Sequence, residues 1–299
     1  RSAKEPMEKL VQLTMSGVAN GAIFALVALG FVLIYKSSDV INFAQGELLL
    51  IGAYLTYMTV EQIGIWWPAG VVVAVLLAAV VGVLIETLVL RPLIGEPAIS
   101  VIMVTIGLSS LLRAIVGSIW GVTPRPAPQF LPRDTMTIFG ASVGVDKVWA
   151  IFLALVLFGV LTLFFRFSRE GIAMRAVADD QQAALSMGIS VKRVWAVAWA
   201  IAAVTAAVGG ILLMSIFGGV SGSIARVGLL VFPVVILGGL DSIPGAIIGG
   251  LIIGLLQSYA GGYLPPDLGM GEVVPFIILL LILLVRPYGL FGQRFIERV

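Results

Sequence analysis

Neither histidine nor cysteine occurs in the sequence, so disulfides, thiolate zinc sites, haem and iron-sulfur ligation and every His-based catalytic triad are excluded together. What is left for chemistry is a handful of polar side chains set into apolar sequence. Asn42, Gln45 and Glu47 stand close together in Ile41-Asn42-Phe43-Ala44-Gln45-Gly46-Glu47. Glu86 and Arg113 are single charges inside apolar runs, and Asn20, Thr105, Ser109, Gln257 and Glu272 complete the set. No two acids within these runs have the spacing of metal ligands or of a nucleophile and its base, and no G-x-x-x-x-G-K-[ST] phosphate loop is present. The sequence therefore predicts no catalytic residue, no metal ligand and no cofactor bound by this chain.

A charged or amide side chain at membrane depth is expensive, and it faces a protein interior or an aqueous path. Asn42, Gln45 and Glu47, where Gly46 interrupts the helix pattern, fit two structures: a broken helix lining a cavity, or a cap for the helix that follows. With Asn20, Thr105 and Ser109 they are the candidate lining of a translocation path. Glu86 is expected to snorkel to the interface near Arg91, and Arg113 to pair with an outer-side acid.

The elements that must hold these residues are membrane spans. Of 299 residues, 60% are hydrophobic and 11% charged, against roughly a quarter charged in a soluble domain. Mean hydropathy is +1.12, which leaves too little polar surface to cover a water-soluble globule. The net charge of +2, from 18 basic and 16 acidic residues, is too small and dispersed for a nucleic-acid surface. Nine apolar segments are readable, at residues 10–35, 40–60, 68–90, 98–119, 147–167, 194–216, 227–240, 246–264 and 273–285. Those beginning at 227 and 273 are short for a hydrocarbon core ~30 Å thick. The first exceeds the ~7 to 15 residues of a signal-peptide core and is expected to be retained. The expected fold is an all-α polytopic membrane bundle of about 8–10 transmembrane segments, forming a single domain over residues 1–299.

Basic residues set the expected orientation. Arg166, Arg169, Arg175, Lys192 and Arg193 form the densest cluster, and Arg286, Arg294 and Arg298 lie at the end; both groups belong in the cytoplasm. The even number of segments between them makes the two assignments agree. This places Lys36, Arg91 and the C-terminus inside, and the N-terminus and the Pro-rich loop 121–146 on the periplasmic side. The G-x-x-x-G pairs Gly17/Gly21, Gly245/Gly249 and Gly250/Gly254 suit close helix approach, within one subunit or at a dimer interface.

The longest cytoplasmic connection, residues 168–193, has an amphipathic helical pattern. Met174, Val177, Ala178 and Leu185 fall on one face, Arg175, Asp179, Gln182 and Ser186 on the other, and Gly188 closes it as a C-terminal cap. Such a helix suits a groove on another protein, or the headgroup layer of the bilayer; Asp179 and Asp180 together count against a helix seeking anionic lipid.

These motifs have a familiar combination. The run from Gly17 through Asn20 and Gly21 to Gly30, then Ile34-Tyr35-Lys36, then Val40 through Asn42, Gln45 and Glu47, closely resembles the permeases of branched-chain amino acid ABC importers, specifically the H-type inner-membrane subunit. Arg175 through Asp179 and Ala184 to Gly188-Ile189 is similar to that family's coupling loop. Leu237 to Gly250 and the tail Arg286 to Gly292 resemble its later signatures. The resemblance implies a bacterial inner-membrane importer in which this chain pairs with a related M-type permease as a heterodimer. It further implies that two cytoplasmic ATPases dock on the coupling loops, with Glu170, Arg175, Asp179, Gln182, Ser186 and Gly188 in this one, and that a periplasmic binding protein delivers solute. ATP is then used by the partners, and the expected solute is a branched-chain amino acid. Relatives carry urea, short amides or other amino acids, so these stay open. A self-sufficient secondary transporter, with Glu47, Glu86 or Arg113 carrying coupling charge, is the second reading.

Overall fold

The computed structural model describes residues 4–128 and 134–292. Each apolar segment becomes a helix because a bilayer offers backbone amides no partner outside their own segment. In chain order these are α1 (Lys4–Ser38), α2 (Gln45–Tyr57), α3 (Trp67–Ile85), α4 (Ala98–Trp120), α5 (Val145–Phe167), α8 (Val191–Phe217), α9 (Ser223–Gly238), α10 (Ile243–Tyr263) and α11 (Met270–Val285). Between α5 and α8 lie two short helices, α6 (Arg169–Asp179) and α7 (Gln181–Ser186). Among the described residues six helices, α1, α3, α4, α5, α8 and α10, are long and apolar enough to cross a membrane. The segments expected to be short are short: α9 and α11 have 16 residues each and carry Pro233 and Pro275 internally. The chain is thus an all-α polytopic membrane protein.

The loop 121–146 holds more order than a Pro-rich connection suggests. Strand β1 (Arg125–Pro126) pairs antiparallel with β4 (Gly219–Val220), and β2 (Thr135–Ile138) forms a hairpin with β3 (Ala141–Gly144). Residues 129–133 of this loop, and Arg294 and Arg298 of the basic tail, lie outside the described residues.

Contacts gather into two units. One comprises residues 1–28, 131–156 and 230–299. Its core is the approach of α1 to α10, where side chains are removed rather than added. A Cβ on Gly21 would sit 2.8 Å from the Gly250 carbonyl oxygen, and one on Gly250 would sit 2.6 Å from Ala25 Cβ. The G-x-x-x-G pairs Gly17/Gly21 and Gly250/Gly254 are therefore spent on packing within the chain. Thr14 and Tyr259 hydroxyls meet at 2.8 Å across the same seam. The two late motifs also meet here: Leu290 and Phe291 amides donate to the Leu237 and Gly238 carbonyls at 2.8 and 3.1 Å.

The other unit comprises residues 29–130 and 157–229. At its centre α2 is buried over almost its whole length, packed on α8 and α3. Small residues on α8 permit this: Gly210 lies against the Leu49 backbone and Ala207 against Gly52. The α3 contact stripe, Gly70, Ala74, Ala78, Gly82 and Ile85, recurs every three or four residues. The remaining faces of α3 and α4 carry exposed Val72, Leu76, Val80, Met103, Leu111 and Ile119, suited to lipid or to another apolar helix. Buried hydroxyls are returned to backbone: Thr56 donates to Gly52 O at 3.0 Å and Thr205 to Ala202 O at 3.0 Å.

Candidate functional site

The polar residues singled out in the sequence converge on the start of α2. Residues 39–44 are not helical, and α2 begins only at Gln45, so Gly46 does not interrupt a helix but lies in the first turn of one. Its small size serves a close approach instead: a Cβ there would collide with the Ala225 carbonyl and crowd Gly228, both on α9. Asn42 shapes the entry. Its Oδ1 accepts from the Ala44 amide at 3.0 Å, and its Nδ2 donates to Gln45 Oε1 at 3.0 Å. Both side chains are buried; they bond each other, and Asn42 holds the turn that leads into α2 without capping the helix itself.

Glu47 completes the first turn, where the helix dipole favours a negative charge. Its Oε1 accepts from Arg113 Nε at 3.0 Å and from Arg113 Nη2, and more weakly from Ser109 Oγ at 3.4 Å. Thr105 Oγ1 donates to Ile41 O at 3.1 Å and accepts from the Phe43 amide at 3.4 Å. Thr105, Ser109 and Arg113 are spaced four residues apart, so they form one stripe along α4 facing the start of α2. The partner of Arg113 is Glu47, not an outer-side acid as expected, because the two parallel helices bring position 47 beside position 113. Glu47 is 2% exposed at the side chain and Arg113 65% exposed. Glu47 Oε2 is buried and has no partner among the described residues.

Five of the six candidate path residues, Asn42, Gln45, Glu47, Thr105 and Ser109, are thus brought together in one unit. Asn20 lies half-buried on the part of α1 that belongs to the other unit. Gln257 is half-buried on α10, and Glu272 is exposed in the first turn of α11. Glu86 does not snorkel. It is fully buried, and Arg91 reaches back to it with Nη2–Oε2 at 2.7 Å and Nε–Oε1 at 3.1 Å, which gives the carboxylate a bidentate counter-charge.

Next to the stripe is a cavity of about 440 Å³ lined by Leu50, Arg113, Ser221, Gly222, Ser223 and Arg226. Arg226 went unnoticed in the sequence. It stands one position before the apolar segment beginning at 227, where a lone charge reads as an ordinary flank.

The loop 168–193 is two helices rather than one. Asp180 leaves the helical region, with φ −157° and ψ 108°, and its carboxylate caps α7 by accepting from the Ala183 amide at 2.9 Å. The break shifts the helical phase: Met174, Val177 and Ala184 are buried, whereas Leu185 is 54% and Met187 82% exposed. Leu185 therefore leaves the inner face on which the single-helix pattern had put it. Arg175, Asp179, Gln182 and Ser186 are exposed, Glu170 pairs with Arg193 on α8, and Gly188 ends the turn at φ +81°.

Residues 13–283 match the family model described as branched-chain amino acid transport system / permease component. The chain belongs to this family of transport permeases. Among named relatives, the high-affinity branched-chain amino acid transport system permease protein LivH of Escherichia coli K12 is 34% identical, covering 97% of both chains. BraD of Pseudomonas aeruginosa, with the same description, is 30% identical over 97% of this chain and 98% of its own. The probable branched-chain amino acid transport permease LivH of Methanocaldococcus jannaschii is 30% identical over 90% and 89%. In fold the chain is similar to PsaBC of Streptococcus pneumoniae, solved in complex with a Fab, at TM-score 0.50 and 15% identity over 94% of this chain and 92% of that one. Permeases of this family thus contribute the membrane part of a transport system, and the polar cluster at the start of α2 is this chain's candidate contribution to the path.

Proposed function

We propose that this chain is the membrane permease subunit of an ATP-driven importer for branched-chain amino acids in a bacterial inner membrane, with its C-terminus cytoplasmic. The observation that carries the reading is full-length similarity to permeases named for that transport, over 97% of both chains. Asn42, Gln45, Glu47, Thr105 and Ser109 line the path beside the start of α2. Solute passes polar groups that are otherwise buried, while apolar helix faces keep lipid out.

The working assembly pairs the chain with a related permease, two ATPases and a solute-binding protein. The loop 168–193 is the ATPase contact. Its polar face Arg175, Asp179, Gln182 and Ser186 is exposed, and Leu185 and Met187 beside it offer apolar area that water alone does not explain. Glu170, tied to Arg193, fixes the loop to α8. ATP is bound and hydrolysed by the partners.

Deleting the chain in its native cell tests the reading. Uptake of leucine, isoleucine and valine at low micromolar concentration should fall at least tenfold and return with a plasmid copy. Unchanged branched-chain uptake with lost urea or amide uptake would assign the chain to another solute.

A further inference from the structure

The cavity lined by Leu50, Arg113, Ser221, Gly222, Ser223 and Arg226 carries more positive charge than its surroundings balance. Arg113 and Arg226 both reach it. Glu47 is the carboxylate that answers Arg113, and among the described residues no salt bridge reaches Arg226. Arg226 also stands in the first turn of α9, a 16-residue helix, where the helix dipole is already positive. Two guanidiniums, one of them paired with Glu47, and the start of α9 thus line one cavity, an arrangement of positive charge that favours an anion over a neutral or cationic occupant.

The geometry of the cluster also favours a small planar anion. Glu47 Oε1 engages Arg113 through Nε and Nη2, two of the five donors on a guanidinium, so donors remain for a ligand while Glu47 holds the group still. The Ser221 and Ser223 hydroxyls are bonded to each other at 2.6 Å and can turn to donate. Leu50 adds an apolar wall.

We propose that Arg226 and Arg113 form a carboxylate subsite that takes the α-carboxylate of the amino acid during its passage, with Glu47 acting as the positioning residue for Arg113. This rests on the reading of the chain as an amino-acid permease. Arginine suits the task because its fork matches a carboxylate with two parallel hydrogen bonds. A neutral solute such as urea gains nothing from such a pair.

The chain has no native cysteine, so a single Ser223→Cys reports on the cavity, and Val122→Cys, at an exposed loop position, serves as reference. The full chain in phosphatidylcholine nanodiscs is labelled with an anionic sulfonatoethyl and a cationic trimethylammonioethyl methanethiosulfonate. Relative to position 122, the anionic reagent should be favoured at position 223 by about tenfold, a local enrichment within the range that a charged cleft produces. Arg226→Gln should abolish the preference and Arg226→Lys should retain most of it; Arg226 is exposed, so both variants should melt with the wild type. Leucine and isovalerate, which share a carboxylate, should slow the labelling, and leucinamide should not. Equal rates for the two reagents, or equal protection by leucine and leucinamide, would overturn the proposal. So would a preference that appears only in phospholipid-free detergent and vanishes in phosphatidylcholine nanodiscs, because a lipid phosphate would then be the occupant. Failure of the permease reading would look different: the charge preference intact, and no leucine accumulated by the wild-type complex.

Discussion

A carboxylate taken out of water must find a counter-charge, and Glu47 finds it in Arg113, with which it shares one oxygen while the other stays buried. The two halves of the pair are not equivalent. Arg113→Ala strands a buried charge and should lower stability by about 3 kcal/mol, visible as a drop in Tm in detergent. Glu47→Gln removes the charge that needs an answer and leaves Arg113 largely in solvent, so its cost should be roughly 1 kcal/mol, and the double variant should be more stable than Arg113→Ala alone. An Arg113→Ala protein as stable as the wild type would show that the pair does not hold the site. Each residue was conspicuous in the sequence as a charge in an apolar run. Their pairing was not, because 66 residues separate them and only the parallel run of α2 beside α4 joins them. Arg226 was missed for the opposite reason: at the edge of an apolar segment a charge has an ordinary explanation.

Helices were legible from apolar runs because bilayer length and backbone satisfaction leave few alternatives. Their ends were less so. The late start of α2 depends on Asn42 bonding Ala44 and Gln45, and the division of α6 from α7 depends on Asp180 preferring to cap rather than continue a helix. Amphipathic phase alone could not report either break. The loop 168–193, proposed to dock the ATPase, makes a separable prediction. Gly188 holds φ +81° with open space around a would-be Cβ, so Gly188→Val acts through backbone strain, about 1 kcal/mol or more, without a clash. Asp179→Arg reverses an exposed charge at the proposed contact, where a mismatch is costly. Both variants should insert at normal levels but lose solute accumulation and the stimulation of ATPase activity by loaded binding protein. Normal transport and normal stimulation in both would remove the loop from coupling and favour the headgroup reading.

For the molecule as a whole, the direction across the membrane proposed from the basic residues can be read by cysteine labelling in intact cells. A cysteine at Val122, 89% exposed beside the end of α4, should react with an impermeant thiol reagent, and one at Ser186 should not. Reaction at position 186 from outside would invert the proposed topology. Ala127 would be a poor reporter despite lying in the same loop, since it is 8% exposed, a consequence of the short β1–β4 pairing that no sequence pattern announces. The family was readable from long motifs in order, and the structure gives a reason for two of them, since the segments around Leu237 and Leu290 bond to each other. Accumulation of radiolabelled leucine in proteoliposomes tests the importer most directly, with this chain reconstituted beside the second permease and the ATPases proposed for it. Uptake against a gradient should occur only when ATP and loaded binding protein are both present, with Glu47→Gln reducing it at unchanged complex assembly. Leucine accumulation by this chain alone, driven by a proton or sodium gradient without ATP, would contradict the importer reading.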